Sequence, residues 1–256
     1  MAIVNDIIKI MQEFAPENLT APNYEDNVGL LIGDKNQSVQ NIYCCLDLTN
    51  KDIDKAIAKN AQMVICHHPL MYNAIQRITT DTVEGGKIIR LIKNNIAVYA
   101  AHTNLDFVEG GLNEYAAKQL GLKNLRPMDP YISQGAGAGR IGELDKAISL
   151  AELSKNAASV FGDPRVDAVG DPNKKIKTIA IINGGGSGIG WMVKAKEMGA
   201  DCFISGDMKQ HEKVYAADAD FPVIDASHYH TENIFIPQLA KILIDKTKGL
   251  NVEIHY

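Results

Sequence analysis

The sequence predicts an α/β fold made of two similar lobes, each with a mainly parallel or mixed sheet flanked by helices. Three observations predict it. Short apolar runs rich in Val, Ile and Ala recur along the chain, and helix-length segments separate them. The runs are apolar throughout rather than alternating, the pattern of strands covered on both faces. A chain of 256 residues is long enough to bury a sizeable core as one or two domains.

Taken in order, the N-terminal segment reads as an amphipathic helix with Ile3, Ile7, Ile10, Met11 and Phe14 on one face. It lacks the basic start, apolar stretch and small-residue cleavage site of a secretory leader. Strands are expected near Ile42–Leu46, Met63–Cys66, Ile96–Ala101, Ile179–Ile182, Cys202–Ser205 and Val223–Ala226. Helices are expected over Asn50–Lys59, Gly86–Asn94, Leu112–Leu120 and Ile189–Met198. Pro127–Gly142, with two prolines and four glycines, reads as a break, and Phe161–Asn173 as a loop or hairpin. The first lobe is therefore placed at residues 1–125 and 226–256, and the second at 126–225.

Composition narrows the function classes. Hydrophobic residues make up 46% and charged residues 22%, ordinary for a globular protein, and no segment is low-complexity. The apolar runs are strand-sized, far short of the ~20 residues that span a bilayer. No membrane association and a cytoplasmic location are expected. Cys44, Cys45, Cys66 and Cys202 are too few and too irregular for a disulfide framework and read as buried thiols. A net charge of −5 with scattered lysines does not indicate a broad nucleic-acid footprint, although a local basic groove is compatible with it.

Six of the seven histidines gather at strand ends, where α/β sheets collect their ligands. His67 and His68 follow the strand Met63–Cys66 and precede Pro69. On a regular strand they would face opposite ways; at a frayed end the backbone can turn both toward one crevice. Alone, the pair also fits a surface loop. His102 and Asp106 follow the strand Ile96–Ala101, where an Asp can equally cap the next helix. His228 and Glu232 follow Val223–Ala226; four apart at a helix start, they share a face and can reach one ion. His230 would point elsewhere, and Pro237 implies a kink or a late helix start. Together the three clusters outweigh their separate structural readings. Imidazole plus carboxylate suits divalent Zn, Fe or Mn. Five protein ligands, His67, His68, Asp106, His228 and Glu232, are too many for one ion with open positions and suit two that share a water.

With Asp26-Asn27-Val28-Gly29-Leu30, His67-His68-Pro69, His102-Thr103-Asn104-Leu105-Asp106, Ser205-Gly206-Asp207 with His211, and His228-Tyr229-His230-Thr231-Glu232, the chain resembles the dinuclear-metal Nif-three-like family, the GTP cyclohydrolase 1 type 2 homologues. The resemblance implies a metal site in the cleft between two α/β lobes. It also implies that Glu232 bridges, with His67 and His228 on one ion and His68 and Asp106 on the other. It further implies a ring-shaped homohexamer. Longer members of that family carry an inserted domain between the halves, which this chain, with only about a hundred residues for its second lobe, is expected to lack.

No organic cofactor site is expected. The glycine-rich turn 184–188, which follows the strand Ile179–Ile182, lacks the lysine of a P-loop and reads first as a tight strand-to-helix turn. A phosphate cradle is its second reading. His102 and His211 are the candidates for proton transfer, or for orienting a ligand or a water, while His255 lies in the tail. The expectation is a metal-dependent hydrolase acting on a small molecule: a nucleotide, or a related phosphorylated or cyclic-amide compound. The alternatives are a non-catalytic, metal-stabilised oligomeric scaffold or binding protein, and a di-iron redox enzyme.

Overall fold

A computed structural model of the chain describes residues 1–20, 25–130 and 135–256. In chain order the elements are α1 (Val4–Phe14), β1 (Gly29–Ile32), β2 (Asn41–Cys45), α2 (Asn50–Ala58), β3 (Met63–Cys66), α3 (Val83–Lys93), β4 (Ala97–Ala100) and α4 (Thr103–Phe107). Then follow α5 (Leu112–Gln119), β5 (Lys123–Arg126), β6 (Asp129–Pro130), β7 (Gly137–Ala138), β8 (Arg140–Ser149), α6 (Leu150–Phe161), β9 (Asp167–Val169) and β10 (Lys175–Ile181). The last are α7 (Ile189–Glu197), β11 (Cys202–Ser205), α8 (Gln210–Asp218), β12 (Val223–Asp225), α9 (His228–Asn233), α10 (Ile236–Lys246) and β13 (Glu253–His255).

The chain forms two compact units, Met1–Leu105 with Ile236–Tyr256, and Asp106–Phe235. These joints lie about twenty and ten residues from the ones read in the sequence. Two contacts account for their position. Arg140, at the start of β8, is buried and donates to the carbonyls of Gly137 and Gly139 at 2.8 Å and of Val108 at 3.0 Å, which ties the turn after α4 to the second sheet. At the other joint, α10 packs on β2, and β13 pairs in parallel with β2, Ile254 opposite Ile42.

In the first unit the strand order is β1-β4-β3-β2-β13, parallel except for the antiparallel pair β1/β4. Both faces of β3 and β4 are buried. Tyr43, Cys45, Val64, Cys66, Val98 and Ala100 meet Ile53 and Ala56 of α2 and Ile88 and Leu91 of α3. Helix α2 starts on a capping box: the Asp52 N–H donates to Thr49 Oγ1, and the Thr49 N–H to the Asp52 carboxylate. Helix α1 buries Val4, Ile7, Ile8 and Met11, a face rotated from the expected one, with Ile3, Ile10 and Phe14 only partly covered.

The second unit has strand order β5-β8-β10-β11-β12-β9, parallel only across β10, β11 and β12, so it is mixed rather than mainly parallel. Its alternation is clean. Ile179, Ile181, Cys202 and Ile204 pack with α5 and α6, whereas Ala180, Ile182, Phe203 and Val223 pack with α7, with Ala216 of α8 and with Phe221 beyond that helix. The expected break Pro127–Gly142 overlaps β8, although residues 131–134 fall outside the described residues. Gly142 lies within that strand, at a position where a Cβ would come 2.7 Å from the Lys123 carbonyl oxygen of the neighbouring strand. The expected loop or hairpin Phe161–Asn173 holds β9, which is an edge strand paired with β12. Among the described residues no helix is long and apolar enough to cross a membrane.

Candidate metal centre

In the first unit, the carboxyl ends of three adjacent parallel strands converge. Asp47 follows β2, His67 and His68 follow β3, and His102 follows β4. The sheet does not fray at the histidine pair: the His67 and His68 N–H groups still donate to Cys45 O at 3.1 Å and Leu46 O at 3.0 Å. Even so, the two rings sit 5.0 Å apart, and the His102 ring lies 5.2 Å from His67 and 5.7 Å from His68. His67, His68 and His102 each offer a ligand atom within 4.8 Å of the others.

Each of these rings is held from its Nδ1 side at 2.8 Å, His67 by Ala101 O, His68 by Asp47 Oδ1 and His102 by Asp26 Oδ1. A carbonyl or carboxylate oxygen can only accept, so Nδ1 carries the proton and Nε2 carries the lone pair of the neutral ring. This is the outer support that metal-binding imidazoles use. Asp26 is itself fixed, its Oδ2 accepting from the Thr103 N–H at 3.1 Å and the Thr103 hydroxyl at 2.5 Å. Burial alone would push its carboxyl up, but the hydrogen bonds from His102 and Thr103 outweigh burial and hold it below the usual range. Asp26 and Tyr72, whose ring edge meets His102 at 5.9 Å, also line a cavity of about 360 Å³ with Glu25, Asn27 and Asn73.

The second unit uses the same device at β10, β11 and β12. The glycine-rich turn follows β10, Gly206 and Asp207 follow β11, and His228 opens α9 two residues beyond Ala226. His228 and Glu232 share a face of α9, with Nε2 3.1 Å from Oε2, and His228 Nδ1 meets Asp207 Oδ2 at 2.8 Å. The Glu232 hydrogen bond, against the opposing effect of burial and with help from Asp207, pushes the His228 imidazolium up to about 9. Gly184 has φ +64°, and a Cβ there would fall on Glu232 Oε1. A side chain on Gly206 would collide with the backbone of His228. The glycines thus press the turn against His228 and Glu232.

Asp106 opens this unit, inside α4 rather than capping it, and its carbonyl accepts from Asn113 Nδ2 at 3.1 Å. His230 turns away toward Asp163, 3.3 Å from its Oδ2. Pro237 sits in the first turn of α10, so the late helix start is the one adopted. His211 is exposed in the first turn of α8, while His255 meets Asn41 Oδ1 at 3.1 Å in the edge strand β13. All four cysteines are buried and free, and burial pushes Cys44 and Cys66 up to about 12, so they stay thiols. Sequence reasoning missed the orienting roles of Asp26, Asp47 and Asp207. Asp47 and Asp207 shared a signal, an acid two residues past the end of an apolar strand.

The profile of Duf34/NIF3 (NGG1p interacting factor 3) matches residues 2–256. A protein of Clostridium acetobutylicum named GTP cyclohydrolase 1 type 2 homolog is 40% identical over 90% of this chain and 85% of its own length. A Clostridium perfringens protein of the same name is 39% identical over 90% of this chain and 86% of its own. Among solved structures, a Staphylococcus aureus hypothetical protein superposes with a TM-score of 0.91 at 30% identity, covering 99% of this chain and 95% of that one. A Bacillus cereus protein related to NIF3 shares the fold, with a TM-score of 0.92 at 23% identity over 99% of this chain and 96% of that one.

Proposed function

The chain belongs to the Duf34/NIF3 family, and from that premise we propose that it is a metal-dependent hydrolase in which His67, His68, Asp106, His228 and Glu232 hold two divalent cations. The observation that supports this reading is the hold on His67, His68 and His228 from their Nδ1 sides at 2.8 Å, the outer support that would orient Nε2 of each as the coordinating atom. The Glu232 carboxylate beside His228 Nε2 would add an oxygen donor, and imidazole with carboxylate suits divalent Zn, Fe or Mn. When bound, two such ions lower the pKa of a shared water toward neutrality and polarise the bond under attack.

The chain's own residues supply the rest. His102, backed by the buried Asp26, would take the proton and pass it on. His211 is exposed and serves as a contact for substrate rather than as the proton carrier. The carboxylates, amides and phenol around the cavity suit a polar substrate. The name shared by the clostridial relatives favours a nucleotide, with ring opening of GTP as the first reaction to try. A homohexamer is the proposed assembly.

The test is elemental analysis combined with hydrolysis assays over a nucleotide and phosphoester panel, for wild type, His68→Ala and Glu232→Ala. Two ions per chain and metal-dependent turnover, both lost in the variants, support the reading. Clearly fewer than two ions in wild type sinks the dinuclear centre. Two ions without turnover favours a metal-stabilised scaffold, and a monomeric mass in solution sinks the hexamer.

A further inference from the structure

In the second unit, the segment that carries Asp106 and the helix that carries His228 and Glu232 are more than a hundred residues apart in sequence. A buried polar bridge connects them. Asn113, in the first turn of α5, donates from Nδ2 to the Asp106 carbonyl at 3.1 Å and accepts at Oδ1 from the Asn183 N–H at 2.8 Å. Asn183, at the end of β10, donates from Nδ2 to the Thr231 carbonyl at 3.2 Å. Thr231 Oγ1 accepts from the Gly184 N–H at 3.0 Å, and its hydroxyl faces the Ser227 and His228 carbonyls, each at 2.9 Å. None of the three side chains is more than 6% exposed.

Buried amides and hydroxyls carry a desolvation cost that only well-made hydrogen bonds offset, and an apolar side chain fills a core more simply. Here the polar groups are spent on backbone atoms of the two ligand-bearing segments and of the turn that contacts Glu232. We propose that Asn113, Asn183 and Thr231 are positioning residues that fix Asp106 relative to the His228–Glu232 pair, and so set the geometry in which the chain grips its metal ions. The inference rests on the metal reading above. It acts through placement of the ligands and not through their basicity, because every bond in the bridge has a backbone atom at one end and none reaches a ligand's coordinating atom.

The experiment uses cobalt(II) as the probe on the full-length chain, reading the binding isotherm and the visible d–d spectrum. Thr231→Val keeps the shape and removes the hydroxyl; Thr231→Ser restores it. Folded Thr231→Val should bind cobalt about tenfold more weakly or worse, with an altered d–d spectrum, and Thr231→Ser should recover both. Asn113→Ala should move both readouts in the same direction. Wild-type affinity and spectrum in Thr231→Val would overturn the proposal. If neither Thr231→Val nor Asn113→Ala folds, the bridge is a stabilising element and the positioning role is likewise overturned. A wild-type protein that takes up no cobalt overturns the metal reading itself, and this inference with it.

Discussion

The carboxyl ends of β2, β3 and β4 and those of β10, β11 and β12 are the same architectural place in two units, yet they are furnished differently. The first presents three imidazoles in mutual contact, each held at Nδ1 by an oxygen at 2.8 Å. The second presents one imidazole bound to a carboxylate on the same helix, with glycines replacing side chains around it. A histidine-rich edge is built by holding rings with acceptors, so its order resides in hydrogen bonds. A carboxylate edge is built by letting backbone close in, so its order resides in the absence of Cβ atoms. The two edges should therefore fail differently when perturbed.

The largest effect is expected at Gly184. Alanine there needs a left-handed backbone, and its Cβ overlaps the Glu232 carboxylate. Gly184→Ala should lower metal affinity about 100-fold, roughly 3 kcal/mol, measured by competition with a chromophoric chelator. Gly190 in α7 is the control, since nothing lies within 4 Å of its Cβ position and its φ is not positive. Gly190→Ala should leave affinity unchanged and stabilise the fold by up to about 1 kcal/mol. Equal effects from the two substitutions would sink the idea that close approach of the backbone orders the carboxylate edge.

Next in size is Asp26 on the histidine edge. Its carboxylate is 1% exposed and receives hydrogen bonds from His102 and Thr103. An unfolded Asp titrates near 3.9, and the folded Asp26 lies below that value. The unfolded chain therefore binds the proton first, so the stabilisation is complete above about pH 4 and is lost as pH falls through the folded value. Asp26→Asn should cost about 1.5–3 kcal/mol at neutral pH and flatten the acid limb of the stability curve. Urea titrations at stepped pH check both, and an unchanged acid limb would show that Asp26 does not carry it.

The fold class and most element positions were legible in the sequence because buried parallel strands such as Met63–Cys66 and Cys202–Ser205 leave unbroken apolar runs. The joints between units were not, because one depends on where Arg140 ties residues 107–114 and the other on β13 pairing with β2, long-range contacts with no local pattern. The rotation of the α1 face was missed because Val4 and Ile8 compete with Ile3 and Ile10 for the same periodicity. At the site, histidine clusters announced themselves by residue type and place. Their acceptors did not: Ala101 contributes only a backbone oxygen, and Asp26 reaches His102 from 76 positions away.

The smallest difference is expected between Asp47 and Asp207, the acceptors placed alike in the two units. Each meets its histidine's Nδ1 at 2.8 Å, but their side chains are 51% and 64% exposed, so water competes for both contacts. Replacing either with alanine should weaken metal affinity by about tenfold, the low end for an outer partner. Asp207→Ala should cost slightly less, because Asp207 is the more exposed acceptor and Glu232 still holds the other side of the His228 ring. Parallel cobalt isotherms rank them. A larger loss in Asp207→Ala would mean that ring orientation, and not only close backbone packing, also orders the carboxylate edge.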